Sequence, residues 1–293
     1  MAPPPEDPAV TRALEEAPEQ RYVGERDLTS WPTAVGAGLV HLAGRLRQRL
    51  TPQAVLLVVL AVGLVLAAGL TALAGAVYDA VTEDDGVAAL DRPLLDAVVG
   101  LRTPTLDTVV TGFSALGGPV GMPVLAGVVA VGLAAAWRQW TPVLLVAATA
   151  AGSLALTVVG KAAVGRVRPP LADAVPPYEV SASFPSGHTL NAIALAGIVA
   201  YLVVRRQRTK RGRTATVLAA ALFALLMGVS RVYLGHHWLT DVLVAWALGL
   251  AWLTVVVTAH RLLLTLRAAR HATPDPAPSD PARSDPAPPP TPD

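Results

Sequence analysis

Long apolar stretches separated by short polar or basic segments make up most of this chain. A helix needs roughly 20 apolar residues to cross the hydrocarbon core of a bilayer, and six stretches meet or approach that length. The six predicted membrane-spanning helices cover residues 53–77, 119–137, 142–161, 187–204, 214–230 and 238–259. The fourth and fifth stretches are short and need residues from their flanks. The pattern predicts an all-α polytopic membrane protein with six transmembrane helices.

Residues 32–50 show a different pattern, with apolar side chains at steps of three or four and arginines between them. The apolar positions are Val35, Leu39, Leu42, Leu46 and Leu50. This spacing predicts an amphipathic helix that lies on the membrane surface. A basic flank that simply leads into the first span is the alternative. Between the first two spans, the later part of residues 79–118 predicts one or two short interfacial helices.

The two ends of the chain lack apolar periodicity and are rich in proline, alanine and acidic residues. Residues 1–31 and 272–293 are therefore predicted to be disordered tails. Basic residues concentrate before the first span, between spans two and three, between spans four and five, and after span six. Because cytoplasmic loops carry an excess of Lys and Arg, this pattern places both tails in the cytoplasm. The connections at 162–186 and 231–237 then face outward.

Composition supports the membrane assignment and excludes several kinds of chemistry. Of 293 residues, 53% are hydrophobic and only 15% are charged, and the mean hydropathy is +0.50. Such values are typical of polytopic membrane proteins rather than of soluble domains. The net charge of +2 is too small to indicate nucleic-acid binding. The chain has no cysteine, so it has no disulfide, no thiol nucleophile and no cysteine metal ligand.

Three cations follow the third span on the side of the membrane where few are expected. They are Lys161, Arg166 and Arg168, and Pro169–Pro170 ends the helix directly after them. The alternative is that they are ordinary basic residues at a helix end, whose charges reach toward water. Three cations on the disfavoured side indicate an anion-binding site instead.

The fourth span opens with a second polar cluster, in the sequence SFPSGHT. The first turn of a helix offers unpaired N–H groups and the positive end of the helix dipole, which together favour phosphate. Ser186 adds a hydroxyl, Gly187 lets an anion approach the backbone, and His188 lies within reach of the bound group. By itself such a sequence is also typical of an ordinary helix cap.

The third cluster lies between spans five and six, in the sequence SRVYLGHHWLTD. Arg231 is another outward cation, and His237 and Asp241 are four residues apart, hence on one face of a helix. A carboxylate there can hold one imidazole nitrogen and leave the other as a lone-pair nucleophile. The alternative for this pair is an incidental surface contact. His236 is predicted to be a surface histidine without a role.

The three clusters together favour a phosphate site. Ionisable residues near a membrane interior are costly and usually functional, and all three clusters fall on the outward side. Four cations, a helix N-terminus and two histidines predict phosphoryl transfer with an acid–base pair. A lipid transporter is one alternative, although transporters usually bind near the bilayer midplane between repeated halves. A metal hydrolase with His188, His236, His237 and Asp241 as ligands leaves the cations unexplained.

In this order the clusters resemble the signature of the type 2 phosphatidic acid phosphatase (PAP2) superfamily, which contains membrane lipid phosphatases and vanadium haloperoxidases. The matching residues are Lys161, Arg168 and Pro169, then Pro185, Ser186, Gly187 and His188, then Ser230, Arg231, His237 and Asp241. The resemblance covers residues 53–260 and implies a helical bundle whose six spans bring both outer loops over one pocket. The soluble haloperoxidase branch does not fit a chain built for lipid.

The resemblance also implies a role for each residue. His237 would attack phosphorus and form a phosphohistidine, while Asp241 orients and charges its imidazole. His188 would protonate the leaving oxygen and then help to activate water. The phosphate oxygens would be held by Lys161, Arg168, Ser186, Gly187 and Arg231. Arg166 lies outside the signature and either helps or merely sits nearby, and neither a metal ion nor another cofactor is implied.

The implied substrate is a lipid phosphate or pyrophosphate with its head group at the outer leaflet of the plasma membrane. An isoprenyl pyrophosphate of the undecaprenyl type is the first candidate, in a chain whose Arg, Ala and Val bias suits a high-GC bacterium. Phosphatidic acid or phosphatidylglycerol phosphate is the second, and a glycosylated polyprenyl phosphate is the third. The predicted partners are the lipid substrate and the bilayer, without nucleic acid.

Overall fold

The computed structural model describes residues 22–23, 26–47, 63, 69 and 87–271. Within them, the α-helices are α1 Ala34–Arg47, α2 Asp91–Gly100, α3 Pro104–Ala115, α4 Gly121–Trp137, α5 Thr141–Val164, α6 Gly187–Val204, α7 Lys210–Tyr233 and α8 Leu239–His271. The remaining elements are 3₁₀ helices at Val87–Leu90 and Leu171–Asp173 and the two-residue strands β1 Tyr22–Val23 and β2 Arg26–Asp27. The helical class is as predicted, and α1 lies within residues 32–50, where the sequence predicts an amphipathic helix on the membrane surface.

Four of these helices are long and apolar enough to cross a membrane. They are Thr141–Val164, Gly187–Val204, Lys210–Tyr233 and, within α8, Leu239–Leu266. The predicted spans three to six are therefore helices of spanning length, whereas the second predicted span is the shorter apolar helix α4, with 17 residues. The first predicted span, 53–77, lies outside the described residues except for Gly63 and Gly69, so the total of six spans stays a prediction.

Local sequence explains where the spanning helices begin and end. Thr209 caps α7, because its side-chain oxygen accepts a hydrogen bond from the backbone N–H of Gly212 at 3.1 Å. Pro142 lies in the first turn of α5, where a missing N–H costs nothing. Gly165 ends the same helix in the left-handed conformation, with φ of +62°. These ends determine which polar residues fall in the connections between spans.

The bundle is built around α6, which packs against α5, α7 and α8. Its buried Leu190 and Ile198 belong to one apolar cluster with Trp252 of α8. The indole of Trp252 lies against Gly152 of α5, where a side chain would collide with it, and donates to the carbonyl of Thr149 at 3.0 Å. Small residues at helix contacts let membrane helices approach closely. A tightly packed core therefore supports the polar end of the bundle.

The helices α2 and α3 confirm the short helices predicted within residues 79–118. Phe113 of α3 meets Phe223 of α7 edge to face, with ring centroids 5.8 Å apart. Arg102, between α2 and α3, donates from Nε to the carbonyl of Tyr233 at 2.9 Å and from Nη1 to that of Asp173 at 2.8 Å. These contacts tie the two short helices to the end of the bundle where α7 ends.

Residues 26–31 are held against α8, which corrects the end predicted for the first disordered tail. Arg261 donates to the carbonyl of Leu28 at 2.9 Å, and the indole of Trp31 donates to Thr265 Oγ1 at 3.0 Å. The guanidinium carbon of Arg261 also lies 4.6 Å from the ring centroid of Trp31. Polar partners on a distant helix order this segment, and composition alone does not reveal them. The rest of both predicted tails lies outside the described residues.

Candidate active site

The predicted polar clusters come together at one end of the bundle. Because consecutive spanning helices run in opposite directions, the end of α5, the start of α6, the end of α7 and the start of α8 share that end. The two connections there, 165–186 and 234–238, are in contact, since Val175 N donates to the carbonyl of Leu234 at 2.9 Å. Residues that are far apart in the sequence are therefore neighbours at this end of the bundle.

His237 is buried between the end of α7 and the start of α8, with 1% of its surface exposed. Its Nε2 lies 3.3 Å from Nη1 of Arg168. Since a guanidinium group only donates, Nε2 accepts this hydrogen bond and the ring proton lies on Nδ1. Burial lowers the pKa of His237 to about 4, against the opposing effect of Asp241. Near pH 7 the imidazole is therefore neutral, with a lone pair on Nε2.

Asp241 holds the other side of the His237 imidazole. Its Oδ2 lies 3.5 Å from Nδ1 of His237 and accepts hydrogen bonds from Ser183 Oγ at 2.5 Å and Trp238 N at 2.9 Å. Ser183 Oγ is also 3.4 Å from Nδ1. Because the hydroxyl donates its proton to the carboxylate, its lone pairs are free to face the ring proton. The predicted pair is in contact, and Ser183 is a third member.

A carboxylate occupies the centre of the cationic cluster. Glu179, from the connection between α5 and α6, pairs through Oε2 with Arg168 Nη2 at 2.7 Å and through Oε1 with Arg231 Nη2. The Nδ1 atoms of His188 and His236 each lie 4.0 Å from the same Oε1. Two arginines and two histidines thus surround a single anion.

The charges around Glu179 compensate one another. Burial alone would raise the pKa of Glu179, but the positive charges of Arg231 and Arg168 outweigh it and lower the pKa to about 2. Arg231 is itself only 2% exposed, and its Nη1 donates to Ser114 Oγ at 2.7 Å. A buried charge is costly unless an opposite charge accompanies it. The two arginines therefore require an anion between them.

Lys161 and Arg168 also hold the segment that leads into α6. Arg168 donates from Nε to the carbonyl of Ser181 at 2.7 Å and from Nη2 to its hydroxyl at 3.1 Å. Lys161 Nζ donates to the same hydroxyl at 3.2 Å and to the carbonyl of Ala182. These partners are neutral, so the charge of Arg168 is compensated by Glu179 and not by them. Arg168 thus lies against the anion position, and Lys161 lies at its edge.

The start of α6 presents His188 to the cationic cluster. The buried hydroxyl of Ser186 lies 2.9 Å from Thr189 Oγ1, so it is bonded within the first turn. Gly187 begins the helix close to α5, since a Cβ there would lie 3.0 Å from Thr157 Cγ2. The side chain of His188 is 15% exposed. Of these three predicted residues, His188 is the one with a described approach to the Glu179 carboxylate, with 4.0 Å between Nδ1 and Oε1.

His236 is buried, and the prediction of a surface histidine is wrong. It is 4% exposed, and its Nε2 lies 2.7 Å from the carbonyl of Val175, so Nε2 carries the proton. Burial and then the charge of Arg231 lower the pKa of His236 to about 4. Gly235 makes the turn that buries it, because φ there is +69° and a Cβ would strike the carbonyl of Asp173. Within the described chain, Nδ1 of His236 has no hydrogen-bond partner.

Arg166, which lies outside the family signature, belongs to the buried network beside Asp241. Its Nη1 donates to Asp241 Oδ1 at 2.6 Å, and its Nη2 donates to Asp91 Oδ2 at 2.7 Å. The guanidinium carbon lies 5.5 Å from the ring centroid of Trp238. Of the two alternatives left by the sequence, a bystander and a participant, these contacts favour the participant.

Sequence analysis missed three acidic or hydroxyl side chains of this site. Glu179 had a signal, since it is an acidic residue in a connection that carries two predicted cations, Arg166 and Arg168. Ser183 and Asp91 had none, because neither stands at a fixed spacing from a predicted site residue. Asp91 reaches the site from α2, a helix outside the three clusters.

The fold and the site define an integral membrane protein with a cluster of cationic side chains at one end of a helical bundle. Residues 142–263 match the PAP2 superfamily. Phosphatidylglycerophosphatase B from Bacillus subtilis (strain 168) is 34% identical over 167 residues, which are 57% of this chain and 81% of that protein. The structure resembles the first transmembrane PAP2 type phosphatidylglycerolphosphate phosphatase from Bacillus subtilis, with 31% identity, a TM-score of 0.56, and coverage of 67% of this chain and 92% of that chain. Aquifex aeolicus LpxE is less similar, with 23% identity, a TM-score of 0.46, and coverage of 60% and 98%.

The chain belongs to the PAP2 superfamily. It is a PAP2-type membrane lipid phosphatase, and its enzyme class is that of a phosphate ester hydrolase. The predictions of the family and of the enzyme class are confirmed. The residues that match the superfamily include all of the predicted site, from Lys161 to Asp241.

Proposed function

We propose that this protein removes a phosphate group from a lipid through a phosphohistidine on His237, without a metal ion. The observation that carries this proposal is the neutral imidazole of His237, whose Nε2 lone pair lies beside Arg168. The same arginine and Arg231 hold the carboxylate of Glu179. Arginine binds carboxylate and phosphate oxygens in similar two-pronged geometry. The phosphate of the substrate is therefore expected to replace this carboxylate, within reach of Nε2.

The reaction then follows from the position of each group. In the first step Nε2 of His237 bonds to phosphorus while the bond from phosphorus to the lipid oxygen breaks. Asp241 stabilises the charge that the imidazole gains, and His188 gives a proton to the leaving oxygen. Arg168 and Arg231 stabilise the phosphoryl oxygens. In the second step a water oxygen bonds to phosphorus, the phosphorus–nitrogen bond breaks, His188 takes the water proton, and inorganic phosphate leaves.

The arginines supply the positive charge that a metal ion supplies in other phosphatases. Among the described residues, no group of three or more His, Asp or Glu side chains is arranged to hold a metal ion. The residues weighed as metal ligands have other partners, since His237 lies beside Asp241 and His236 bonds the carbonyl of Val175. These contacts favour the histidine mechanism over a metal hydrolase.

Phosphatidylglycerol phosphate is the substrate that the relatives favour. The two Bacillus subtilis proteins carry that substrate in their names. An isoprenyl pyrophosphate, the first candidate from sequence, becomes the second candidate. Lys161 supports it, because its ammonium group bonds only neutral oxygens in its described contacts and can offer its charge to a second phosphate.

The proposed site faces the outside of the plasma membrane, with both termini in the cytoplasm. The connection between α6 and α7 lies at the opposite end of the bundle, and with the first turn of α7 it forms the basic sequence RRQRTKRGR. Cytoplasmic loops carry such an excess of Lys and Arg. At the site end, by contrast, Glu179, Asp91 and Asp241 offset the arginines.

Phosphate release from a panel of lipids tests this function directly. The purified full-length protein in detergent, with EDTA present, is expected to show its highest kcat/KM on phosphatidylglycerol phosphate. The panel also contains phosphatidic acid, undecaprenyl pyrophosphate and a soluble aryl phosphate. Activity that EDTA abolishes and a divalent metal restores would contradict metal independence. A preference for undecaprenyl pyrophosphate would reverse the order of the two candidates, and a folded protein inactive on all four would favour transport.

Replacing Glu179 with glutamine should strengthen inhibition by inorganic phosphate and orthovanadate. The neutral amide competes less well for Arg168 and Arg231, so the inhibition constant should fall by about tenfold, since a hydrogen bond to a charged group contributes about 1.5–3 kcal/mol. With a pKa of about 2, Glu179 is ionised at every working pH, so the difference should be constant across the neutral range. Asp173→Asn, on the same connection, is the matched control. An unchanged inhibition constant would show that phosphate does not compete with this carboxylate.

The same variant should change stability in a defined direction. The folded-state pKa of Glu179 lies below its ordinary value of 4.5, so its ionised form stabilises the fold above that pH. That contribution is lost as the pH falls toward about 2. At pH 7 the Tm of Glu179→Gln should therefore be lower than that of the wild type, and added phosphate should restore it.

A further inference from the structure

Arg166 joins two buried carboxylates that lie on different helices. Its Nη2 donates to Oδ2 of Asp91 on α2 at 2.7 Å, and its Nη1 donates to Oδ1 of Asp241 on α8 at 2.6 Å. Asp91 is 5% exposed and Asp241 is 0% exposed. Buried charges persist only when they are paired and hydrogen-bonded. Arg166 is the cation that both carboxylates share.

Asp91 also caps the helix that carries Asp241. Its Oδ1 accepts a hydrogen bond from the backbone N–H of Thr240 at 2.9 Å, and its Oδ2 accepts one from Thr240 Oγ1 at 2.7 Å. Thr240 is the second residue of α8, where backbone N–H groups lack partners within the helix. A negative charge there is also favoured by the helix dipole. Asp91 thus anchors the first turn of α8 from another element.

The two oxygens of Asp241 have separate partners. Oδ1 is held by Arg166, whereas Oδ2 accepts from Ser183 and lies 3.5 Å from Nδ1 of His237. Rotation of the carboxylate would break the Arg166 contact at 2.6 Å. Arg166 therefore sets the orientation in which Oδ2 faces the imidazole.

We propose that Asp91 and Arg166 are positioning residues for the phosphatase reaction and act on His237 through Asp241. This inference rests on the proposed role of His237 as the nucleophile. Arg166 carries one positive charge and contacts two buried carboxylates, so the three side chains together retain one negative charge. Through Asp241 that charge stabilises the positive charge that the imidazole gains. The described side-chain contacts of Arg166 and Asp91 are with Asp241, Thr240, Trp238 and each other. Their loss should slow the chemical step and leave phosphate binding unchanged.

The test compares two variants with a control on the same helix. Asp91→Asn removes one charge and keeps an oxygen for Thr240, and Arg166→Lys keeps the charge but loses the two-armed geometry of the guanidinium. Asp96→Asn is the control, because Asp96 is 54% exposed and pairs with Arg92 at 2.7 Å. The full-length protein is assayed for kcat on its lipid substrate, for inhibition by inorganic phosphate and for Tm.

The expected result is a loss of kcat of about 10-fold to 100-fold in both variants, the range for partners that orient functional side chains. The inhibition constant of phosphate should stay at the wild-type value, and Asp96→Asn should keep wild-type kcat. Asp91→Asn should add little to the loss in an Asp241→Asn background, because it acts through that residue. If Arg166→Lys does not fold, the Asp91 variants decide the question.

Three outcomes would overturn the proposal. The first is a folded Asp91→Asn variant with wild-type kcat. The second is an inhibition constant of phosphate that rises in step with the loss of kcat. The third is a double variant, Asp91→Asn with Asp241→Asn, in which the two losses of kcat multiply independently. Failure of the underlying function gives a different result. If the proposed function is wrong, His237→Ala stays active. If His237→Ala is inactive and Asp91→Asn is fully active, only the positioning role of Asp91 and Arg166 is contradicted.

Discussion

Phosphate release by His237→Ala is expected to fall by roughly 10⁴-fold or more in kcat, since loss of a nucleophile removes the covalent step. The geometry supports so large an effect. The Nε2 lone pair of His237 lies 3.3 Å from Arg168, one of the two arginines that bind the central anion. Because the pKa of His237 is about 4, its imidazole is ready to attack across the neutral range. Alanine has no atom that can form a bond to phosphorus.

Trapping the intermediate separates this loss from a loss of folding. A substrate labelled in its terminal phosphate should leave label on the wild-type chain that survives alkali and is released by acid, as phosphohistidine is. His237→Ala should show no such label and a Tm close to that of the wild type. His41→Ala, at an exposed histidine of α1, is the control. Label that persists in His237→Ala would assign the nucleophile to another residue.

His188→Ala is expected to lose activity by an amount that depends on the leaving group. A general acid contributes about 10²- to 10⁴-fold when the departing oxygen needs a proton. A lipid alkoxide needs it, whereas a nitrophenolate leaves readily without it. The variant should therefore be strongly impaired on the lipid substrate and much less impaired on nitrophenyl phosphate. His237→Ala, by contrast, should lose activity on both.

The ratio of kcat/KM for the two substrates is the measurement that decides the role of His188. Its Nδ1 lies 4.0 Å from Oε1 of Glu179, the atom taken to mark a phosphate oxygen. If His188 only binds phosphate, the two substrates should lose activity equally, and the inhibition constant of inorganic phosphate should rise. Equal losses would therefore contradict the assignment as the general acid.

The spanning helices could be predicted from the sequence because each of them needs a long run of apolar residues to cross the lipid. Spans three to six are helices of spanning length where apolar runs predicted them. The same reasoning misplaced the segment at 26–31, whose order depends on Arg261 and Thr265 more than 200 positions away. Hydropathy describes how a segment meets lipid or water, and it carries no information about such a partner.

In the site, too, some residues could be predicted from neighbouring sequence, whereas others are placed only by contacts with distant parts of the chain. Helical spacing predicted contact between His237 and Asp241, although His237 lies just before α8, which begins at Leu239. Arg168 was proposed from charge on the side of the membrane that was predicted to carry few cations. His236 was misjudged because its burial follows from a left-handed turn at Gly235 and a contact with the next loop. Asp91 could not be found, since only the packing of α2 against the start of α8 brings it there.

In the proposed reaction the cationic site has two alternative occupants, the Glu179 carboxylate and the phosphate of the lipid. After hydrolysis the site would hold a phosphate ion, bound by arginines that are costly to leave without an anion. The return of the carboxylate removes that cost, so product release becomes an exchange of one anion for another. A site with cations strong enough to promote cleavage would otherwise retain its product. In the proposed reaction the acidic residue on the loop is therefore expected to limit product inhibition, so that turnover continues where free phosphate is abundant.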